Sequence, residues 1–397
     1  MFRPLLTRSS PLADAPAAAW RAWWKGVLAT PPFPKIKVAP GPVVELARVP
    51  LNQTWPWIMT DPRGEATLTV YTRAHRAVHG ARNVITFTPL AAPRTSRAVY
   101  RVPPMTSSEP RGARAAWGDR DVGLLWYEER GTTRLEQLLV LSLGGGRPRG
   151  KPARLGLGST GHMTLARLGR GWAVVYESRA DHAFYLQRLT ARGKRRGKAR
   201  RLTPTRGGVG FHLGVQALDA VSTPGGAALV LGGGLGVTLI LVDRRGRVKH
   251  RQRVDDPRAT GSGYEPRLAR ARGRLCVAWK QSDNWDDRVL ARAYRLNGTP
   301  VGAARVVARH VDALGSLLAE GAGFRLVWSD QNGAANRVAA RRLGAGGEPG
   351  PVTALFQGRG VVSYLAAGLH GVTLRLTLVD RAAWPQRLML KETKLTR

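Results

Sequence analysis

The segment "GSLLAEGAGFRLVWSDQNGAANRVAARRLGAGGEPGPVTAL" (residues 315–355) begins with a short apolar strand, a tight glycine turn and a strand that ends at a tryptophan. A polar loop, an alternating strand, a glycine-rich turn and a last short strand follow. Segments 163–203 and 266–308 repeat this order. Alternation with period two, as in "HAFYLQRL" (182–189), favours strands that bury one face. We therefore predict an all-β chain built from repeated units of four short strands.

The aromatic residue that ends the second strand of each unit gives the number of units. It recurs at a spacing of about 50 residues, or twice that, at Tyr71, Trp126, Tyr176, Trp279 and Trp328. The strands "AALVLG" near Leu231 and "VTLRLTLV" near Leu376 occupy the positions where the aromatic is missing. Four short strands at this period are typical of a β-propeller blade. We predict a seven-bladed propeller of four-stranded antiparallel blades. Six blades is the alternative, if the irregular unit 55–102 has another role.

The two ends of the chain are predicted to complete one blade together. The seventh unit begins at "GVVSYLAAG" (360–368) and runs out of chain after its third strand. The strand "PVVELARV" (42–49) stands before the first unit and has no partner there. Pairing the two closes the ring and removes an open sheet edge. This assigns residues 1–41 to an N-terminal extension and residues 42–397 to the propeller.

The repeats resemble those of bacterial propeller proteins of the sialidase-like and TolB-like type. In such proteins "gg-f-vvW-d … v-a-r-l-d-G-p" recurs, and the matching text here is "GAGFRLVWSDQNGAANRVAARRLGAGGEP" (321–349). The resemblance covers about residues 55–397. It implies the propeller fold and no particular activity, because function resides in sites carried by a fold.

Charge is the dominant feature of the composition. The 63 Lys and Arg residues outnumber the 26 Asp and Glu residues and give a formal net charge of +37. An excess of this size opposes compactness unless salt or a polyanion screens it. Two explanations stay open, which are an anionic partner and a coding bias towards arginine. The single cysteine, Cys276, excludes a disulfide framework and a cysteine-ligated metal site and is predicted to lie in a strand.

The N-terminal segment has no uninterrupted apolar core of the kind found in signal peptides, and no stretch is apolar enough to span a bilayer. We therefore expect a soluble, cytoplasmic protein; a start codon placed too far downstream would leave a periplasmic or extracellular location open. Trp20, Trp23 and Trp24 are interpreted as an anchor onto the protein's own body, with contact to a membrane or another subunit as the alternative.

Placing the loops in the blades collects basic residues on one face. If strands A to D run outward from the central channel, the A–B and C–D turns emerge on one face and the B–C and D–A loops on the other. The segments 144–154, 191–201 and 243–253 are then C–D turns of the second, third and fourth blades. We call their cationic residues the basic arc and predict that they bind a polyanion. They are Arg147, Arg149, Lys151, Arg192, Lys194, Arg195, Arg196, Lys198, Arg244, Arg245, Arg247, Lys249 and Arg251, flanked by Arg154 and Arg253.

The opposite face is predicted to be mixed or mildly acidic. Its B–C loops contain roughly a third of the chain's acids, namely Glu128, Glu129, Glu177, Asp181, Asp283, Asp286, Asp287 and Asp330. The molecule is therefore expected to be electrically polar. Trp55, Trp57 and Trp285 are predicted in loops, while Trp126, Trp172, Trp279 and Trp328 are predicted to pack between blades.

Motifs for catalysis are missing from the sequence. The repeated "S-x-D-x-G-x-T-W" turns of sialidase-type propellers do not occur, and Tyr127–Glu128 and Tyr176–Glu177 are neighbours whose side chains point to opposite faces of a strand. The eight His residues form no metal motif; "HRAVH" (75–79) and "SDNWDD" (282–287) are interpreted as solvated loops, and "GGGLG" (232–236) as a turn. We expect no cofactor and no metal.

The sequence thus favours a non-enzymatic binding or scaffold propeller whose partner is a nucleic acid or an acidic protein. Two alternatives remain. One is a secreted or periplasmic propeller that binds or cleaves glycans through the acidic loops. The other is a subunit of a larger assembly whose negative neighbours offset its charge.

Overall fold

A computed structural model describes residues 41–49, 57–73, 82–101, 110–130, 133–203, 217–233, 236–256, 263–283, 286–332, 335–359, 362–380 and 386–395. These residues form seven four-stranded antiparallel sheets and one short 3-10 helix, Pro93–Thr95. The fold is therefore all-β.

The first half of the strands are β1 (Val43–Val49), β2 (Trp57–Thr60), β3 (Ala66–Arg73), β4 (Arg82–Pro89), β5 (Arg97–Arg101), β6 (Pro110–Trp117), β7 (Asp121–Arg130), β8 (Thr133–Ser142), β9 (Ala153–Arg154), β10 (Ser159–Leu168), β11 (Gly171–Ser178), β12 (Phe184–Leu189), β13 (Arg200–Arg201) and β14 (Ala217–Thr223). The second half are β15 (Gly226–Gly233), β16 (Gly236–Asp243), β17 (Val248–Arg253), β18 (Gly263–Ala271), β19 (Arg274–Asp283), β20 (Asp286–Arg295), β21 (Pro300–Arg309), β22 (Val311–Glu320), β23 (Gly323–Asn332), β24 (Ala335–Leu343), β25 (Pro349–Arg359), β26 (Val362–His370), β27 (Thr373–Asp380) and β28 (Gln386–Lys394).

The sheets are the blades of a closed ring. Blades 1 to 6 are β2–β5, β6–β9, β10–β13, β14–β17, β18–β21 and β22–β25, and blade 7 has the order β26, β27, β28, β1 from the inside out. The first strand of each blade contacts the first strand of the next around the ring, and β26 contacts β2. The prediction of seven blades is confirmed, and the irregular unit 55–102 is blade 1, so the six-blade alternative is wrong.

The N-terminal strand closes the ring as predicted. β1 pairs antiparallel with β28, from Val43 opposite Lys391 to Val49 opposite Gln386. Blade 7 is also joined to blade 1 inside the ring, where the Leu369 N–H donates to the carbonyl of Pro62 at 2.8 Å. The Arg375 guanidinium donates to the carbonyl of Gly64 at 2.6 Å. Strands from both ends of the sequence therefore form blade 7.

The core lies between the blades, because a blade that alternates apolar residues on both faces must bury each face against a neighbour. Trp126, Trp172 and Trp279 are at most 1% exposed and Trp328 is 2% exposed, as predicted for packing between blades. Cys276 lies fully buried in β19, also as predicted, and burial raises the pKa of its thiol to about 12. Trp57 differs from its prediction, since it begins β2 and is half-buried.

Strand direction sorts the connections onto two faces. The A–B and C–D connections leave one face, which we call the turn face, and the B–C and D–A connections leave the other, the loop face. No helix in the described ranges is long and apolar enough to cross a bilayer.

Candidate functional site

The C–D turns of blades 2 to 6 are closed by the same hydrogen bond. In blade 3 the Thr190 N–H donates to the Lys194 carbonyl at 2.8 Å, and in blade 4 the Asp243 N–H donates to the Arg247 carbonyl at 2.9 Å. The matching acceptors are the carbonyls of Arg147 in blade 2, Thr299 in blade 5 and Glu348 in blade 6. The shared bond makes these five acceptor residues structurally equivalent.

A buried glycine precedes each equivalent residue, and in blades 2 to 5 it lies in close contact with the preceding blade. The φ angles are +62°, +83°, +72°, +94° and +90° at Gly146, Gly193, Gly246, Gly298 and Gly347. An added Cβ at Gly246 would lie 2.8 Å from Cδ2 of Leu186 in blade 3, and one at Gly193 would lie 3.2 Å from Leu138 in blade 2. Only glycine combines a left-handed backbone with so close an approach. The turns of blades 2 to 5 are therefore fixed relative to the preceding blade.

The equivalent residue changes charge around the ring. It is Arg147, Lys194 and Arg247 in the consecutive blades 2, 3 and 4, then Thr299 in blade 5 and Glu348 in blade 6. We call these five positions the turn row. The cations of the turn row thus occupy one sector of the turn face, and the sequence alone could not align them because the turns differ in length.

The C–D connections that carry the arc are also longer in two blades. Ten residues, 143–152 and 190–199, connect strands C and D in blades 2 and 3, against four residues in blades 4 and 5. The outer strands of blades 2 and 3 are correspondingly reduced to the two-residue β9 and β13. The additional chain length is where most of the basic arc resides.

Side-chain hydrogen bonds hold the C–D turn of blade 3, residues 190–199, in place. The Gln187 side-chain amide donates to the Arg188 carbonyl at 2.9 Å and to the Gly197 carbonyl at 3.1 Å. The Arg195 guanidinium reaches back to blade 2 and donates to the Leu155 carbonyl at 3.4 Å and the Gly156 carbonyl at 3.3 Å. Arg195 therefore anchors the turn to blade 2, while the side chains of the neighbouring basic residues project into solvent.

The blade 2 turn is held by Arg149. Its guanidinium donates to the Arg120 carbonyl at 3.3 Å and lies 3.9 Å from a carboxylate oxygen of the buried Asp121. Arg120 itself is exposed in the A–B turn of this blade and extends the cationic surface inward. The local sequence "GDR" (118–120) gives no reason to include Arg120 in the basic arc, because only the fold brings this turn beside residues 143–152.

The blade 4 turn is shorter than predicted. It spans residues 244–247, and Lys249, Arg251 and Arg253 lie on the outer strand β17 because the backbone of that strand pairs with β16. Asp243 organises the turn, since its Oδ1 accepts the backbone N–H groups of Arg245 and Arg247 at 2.8 Å. Burial opposes ionisation of Asp243, but these hydrogen bonds outweigh it and lower the pKa of the carboxyl.

The basic arc divides into anchoring and projecting side chains. Arg149, Arg195, Arg244 and Arg251 each donate to a protein carbonyl, the latter two to Pro224 and Leu202. The remaining members are exposed and make no side-chain hydrogen bond or ion pair within the described ranges. They are Arg147, Lys151, Arg192, Lys194, Arg196, Lys198, Arg245, Arg247 and Lys249. These nine cations have their donors directed to solvent.

Three of the described acidic residues predicted for the surface of the loop face are buried instead. Glu128, Glu177 and Asp330 are at most 2% exposed. Glu177 accepts from the Thr160 hydroxyl at 2.6 Å and lies 3.2 Å from Nδ1 of His182. These carboxylates are internal groups, because strand pairing turns them inward beside polar side chains from other parts of the chain.

Two further acidic residues have local partners. Asp287 is half-buried and accepts from the Tyr264 hydroxyl at 3.1 Å, with Nζ of Lys280 at 3.4 Å. Asp181 is exposed and accepts from the Tyr185 hydroxyl at 2.7 Å. The side chains of Glu129, Asp283 and Asp286, the loops "HRAVH" and "NW" (284–285), and Trp55 lie outside the described residues.

Metal-ligand geometry is not found in the part of the chain that the structure describes, where no three His, Cys, Asp or Glu side chains are grouped for an ion. His162 and His182 both face Glu177, at 3.6 Å and 3.2 Å. Burial lowers the pKa of His162, and Glu177 opposes this only partly.

The comparisons with known proteins found similar solved structures of low sequence identity. No family model and no curated protein matches the chain. Similar solved structures include a subtype N10 neuraminidase-like protein of the isolate A/little yellow-shouldered bat/Guatemala, at 9% identity and a TM-score of 0.46 over 72% of this chain and 96% of that chain. The polysaccharide lyase Uly1 is similar at 9% identity and a TM-score of 0.49 over 86% and 90% of the two chains. Hydrazine synthase of Kuenenia stuttgartiensis follows at 12% identity and a TM-score of 0.46 over 85% and 98%.

The sheet topology of the chain itself shows a seven-bladed β-propeller, the fold that the resemblance of its repeats to sialidase-like propellers implied.

Proposed function

We propose that this propeller is a binding protein whose turn face docks the phosphate backbone of a nucleic acid through the basic arc of blades 2 to 4. The observation that carries the proposal is the turn row, in which three consecutive blades present a cation at one equivalent, rigidly held position. A phosphate backbone is a regular array of negative charges, and binding it releases condensed counterions.

The distribution of lysine argues against coding bias as the whole explanation. The chain contains ten Lys residues, and four of them are Lys151, Lys194, Lys198 and Lys249 of the arc. A bias that favours arginine codons gives arginine in every exposed turn, and it does not concentrate the scarce lysines in one sector. The equivalent turns of blades 5 and 6 also carry Thr299 and Glu348 instead of cations.

The apolar surface favours a nucleic acid over an acidic protein. Interfaces between proteins bury an apolar core with aromatic anchors. The large hydrophobic residues exposed in the described ranges are five scattered valines, of which only Val248 adjoins the arc. A partner held mainly by charge is therefore the better fit. Because the described residues include no helix that could enter a groove, we expect binding to be insensitive to sequence.

Retention on duplex DNA and on heparin across a salt series tests the proposal. The wild type is compared with a variant neutralised at Arg192, Lys194, Arg195, Arg196 and Lys198, with circular dichroism as the control for folding. We expect the variant to elute at clearly lower salt from both columns. Unchanged elution would mean that 190–199 is only a solvated turn. Loss of retention on heparin but not on DNA would favour an acidic glycan, and retention of neither by the wild type would remove the proposal.

A further inference from the structure

One position in the innermost strand of each blade forms a belt around the central channel. The position is defined by pairing with the residue just before the anchor aromatic, as Arg114 pairs with Leu125 before Trp126. Asp219 pairs in the same way with Val230, and Arg267 with Ala278. We call the set the channel belt, and in blades 1 to 5 it consists of Trp57, Arg114, Thr164, Asp219 and Arg267. In blade 6 a bulge between Leu314 and Leu317 interrupts the pairing, and we assign Ser316, which lies within the bulge, to the belt.

Three belt residues complete the backbone hydrogen bonding of the next blade. Asp219 Oδ2 accepts the Leu268 N–H at 2.8 Å, and Ser316 Oγ accepts the Ala367 N–H at 2.9 Å. The Arg267 guanidinium donates to the carbonyls of Leu314 at 2.6 Å and Gly315 at 2.7 Å. The inner edge of an innermost strand has no strand partner, so its polar groups are satisfied by side chains or by water. These residues have a structural role that accounts for them.

Arg114 has no such role. Its one hydrogen bond goes from Nη1 to the carbonyl of the adjacent Ala113 at 2.9 Å, and its guanidinium lies 5.3 Å from the centre of the Trp57 ring. The side chain is only half-buried, yet desolvation by the surrounding protein, together with the smaller effect of the Arg267 charge, lowers the pKa of Arg114 to about 10. The Asp219 carboxylate raises the pKa of Arg114, but by less than the other effects lower it. Such a position fits the wall of a narrow, water-accessible channel.

Among the described belt residues of blades 1 to 6, positive charge exceeds negative charge by one. Two guanidinium groups face one carboxylate, and burial raises the pKa of Asp219 although Arg267 and Arg114 oppose the rise. A desolvated charge without a partner is unfavourable, and a counterion removes the penalty. The two remaining nitrogen atoms of the Arg114 guanidinium, Nε and Nη2, have no acceptor within the described residues.

We infer that the channel belt is a binding site for one small monovalent anion, held by Arg114 beside the Trp57 ring and separate from the basic arc. The charge of the anion follows from the belt, because a single negative charge neutralises it. A divalent anion is disfavoured, since it would add repulsion from the Asp219 carboxylate. The inference does not depend on the proposed function of the turn face.

Thermal unfolding of the full chain tests the inference. Acetate, nitrate and phosphate are titrated separately at constant ionic strength, which the bulky anion MES maintains. A ligand that binds only the folded state raises the Tm in a saturable manner. We expect saturable rises with acetate and nitrate and a smaller rise with phosphate. The absence of any saturable rise with the wild type would overturn the inference, and so would a larger rise with phosphate.

The Arg114→Met variant distinguishes a ligand site from a structural residue. We expect it to lose the response to acetate, at least tenfold in affinity, and to unfold at a higher temperature than the wild type in MES, because an uncompensated charge has been removed. Arg267→Met is the matched control and is expected to unfold at a lower temperature, since it removes the donor from the carbonyls of Pro266, Leu314 and Gly315. An Arg114→Met variant that is less stable in MES and still responds to acetate would overturn the inference.

Two other variants complete the test. Arg147→Thr/Lys194→Thr/Arg247→Thr is expected to keep the acetate response, and loss of the response in this variant would place the anion on the turn face instead. If Arg114→Met does not fold, Arg114→Lys is used. It retains the charge and is expected to keep a weaker acetate response, whereas an undiminished affinity would show that the guanidinium makes no specific contact.

Discussion

Replacing the cations of the turn row by threonine probes the docking surface without disturbing the fold. The variant is Arg147→Thr/Lys194→Thr/Arg247→Thr, and threonine is chosen because Thr299 occupies the equivalent position in blade 5. The closing hydrogen bonds use backbone carbonyls, so they survive the substitutions. All three side chains are exposed and make no side-chain hydrogen bond or ion pair among the described residues. We therefore expect the Tm to stay the same.

The expected change in the salt dependence of binding can be calculated from counterion release. Each phosphate contact contributes about 0.9 to the slope of log K against log salt for duplex DNA. If all nine projecting cations of the arc make contacts, the wild-type slope is about −8, and losing three contacts changes it to roughly −5. Fluorescence anisotropy with a labelled duplex at four salt concentrations measures both slopes.

The matched control removes the same charge elsewhere. Arg101, Arg305 and Arg342 are exposed on blades 1, 5 and 6, and the variant Arg101→Thr/Arg305→Thr/Arg342→Thr lowers the net charge equally. We expect it to keep the wild-type slope to within about 1. If the two variants reduce the slope by the same amount, binding depends on total charge and not on the turn row, and the reasoning fails.

Three further predictions concern the scaffold. Gly246→Ala is expected to lower the free energy of unfolding in urea by about 2–4 kcal/mol, because the alanine must adopt a left-handed backbone and its Cβ contacts Leu186. Gly197→Ala, where nothing lies within 4 Å of the new Cβ, should lower it by only about 1–2 kcal/mol. Equal losses would show that the turn is not locked against blade 3. The buried carboxylate of Glu136 accepts hydrogen bonds from the N–H groups of Leu157 and Ser159, and Glu136→Ala removes this acceptor. We expect the free energy of unfolding to fall by about 2–4 kcal/mol in the same assay. A fall below about 0.5 kcal/mol would show that these hydrogen bonds do not stabilise the fold. Deleting residues 1–49 removes β1 and exposes the edge of β28, so we expect a lower Tm and association on size exclusion relative to deletion of residues 1–41; identical behaviour would disprove the closure.

The propeller could be predicted from the sequence because its evidence is periodic. Seven units with similar turns, five of them with an aromatic anchor, are visible by comparison of the chain with itself. The missing strand of the last unit made Val43–Val49 the evident partner. Such patterns depend only on which residues are buried, and burial repeats with the blade.

The differences arose where contacts made in the folded chain, and not the local residue pattern, decide the outcome. "VKHRQR" (248–253) resembles a charged turn, and only its backbone pairing with β16 makes it a strand. Glu177 lies where a loop is expected, and the approach of Thr160 and His182 makes it a buried acceptor. The channel belt was not visible either, because Arg114, Asp219 and Arg267 are far apart in the sequence and only strand register aligns them.

The most direct test of the docking surface is hydrogen–deuterium exchange of the full chain with and without saturating duplex DNA at low salt. The account predicts protection confined to residues 143–152, 190–199 and 244–249, with the equivalent turns 296–299 and 344–348 unchanged. Protection spread evenly over all turns, or found on the loop face, would contradict it.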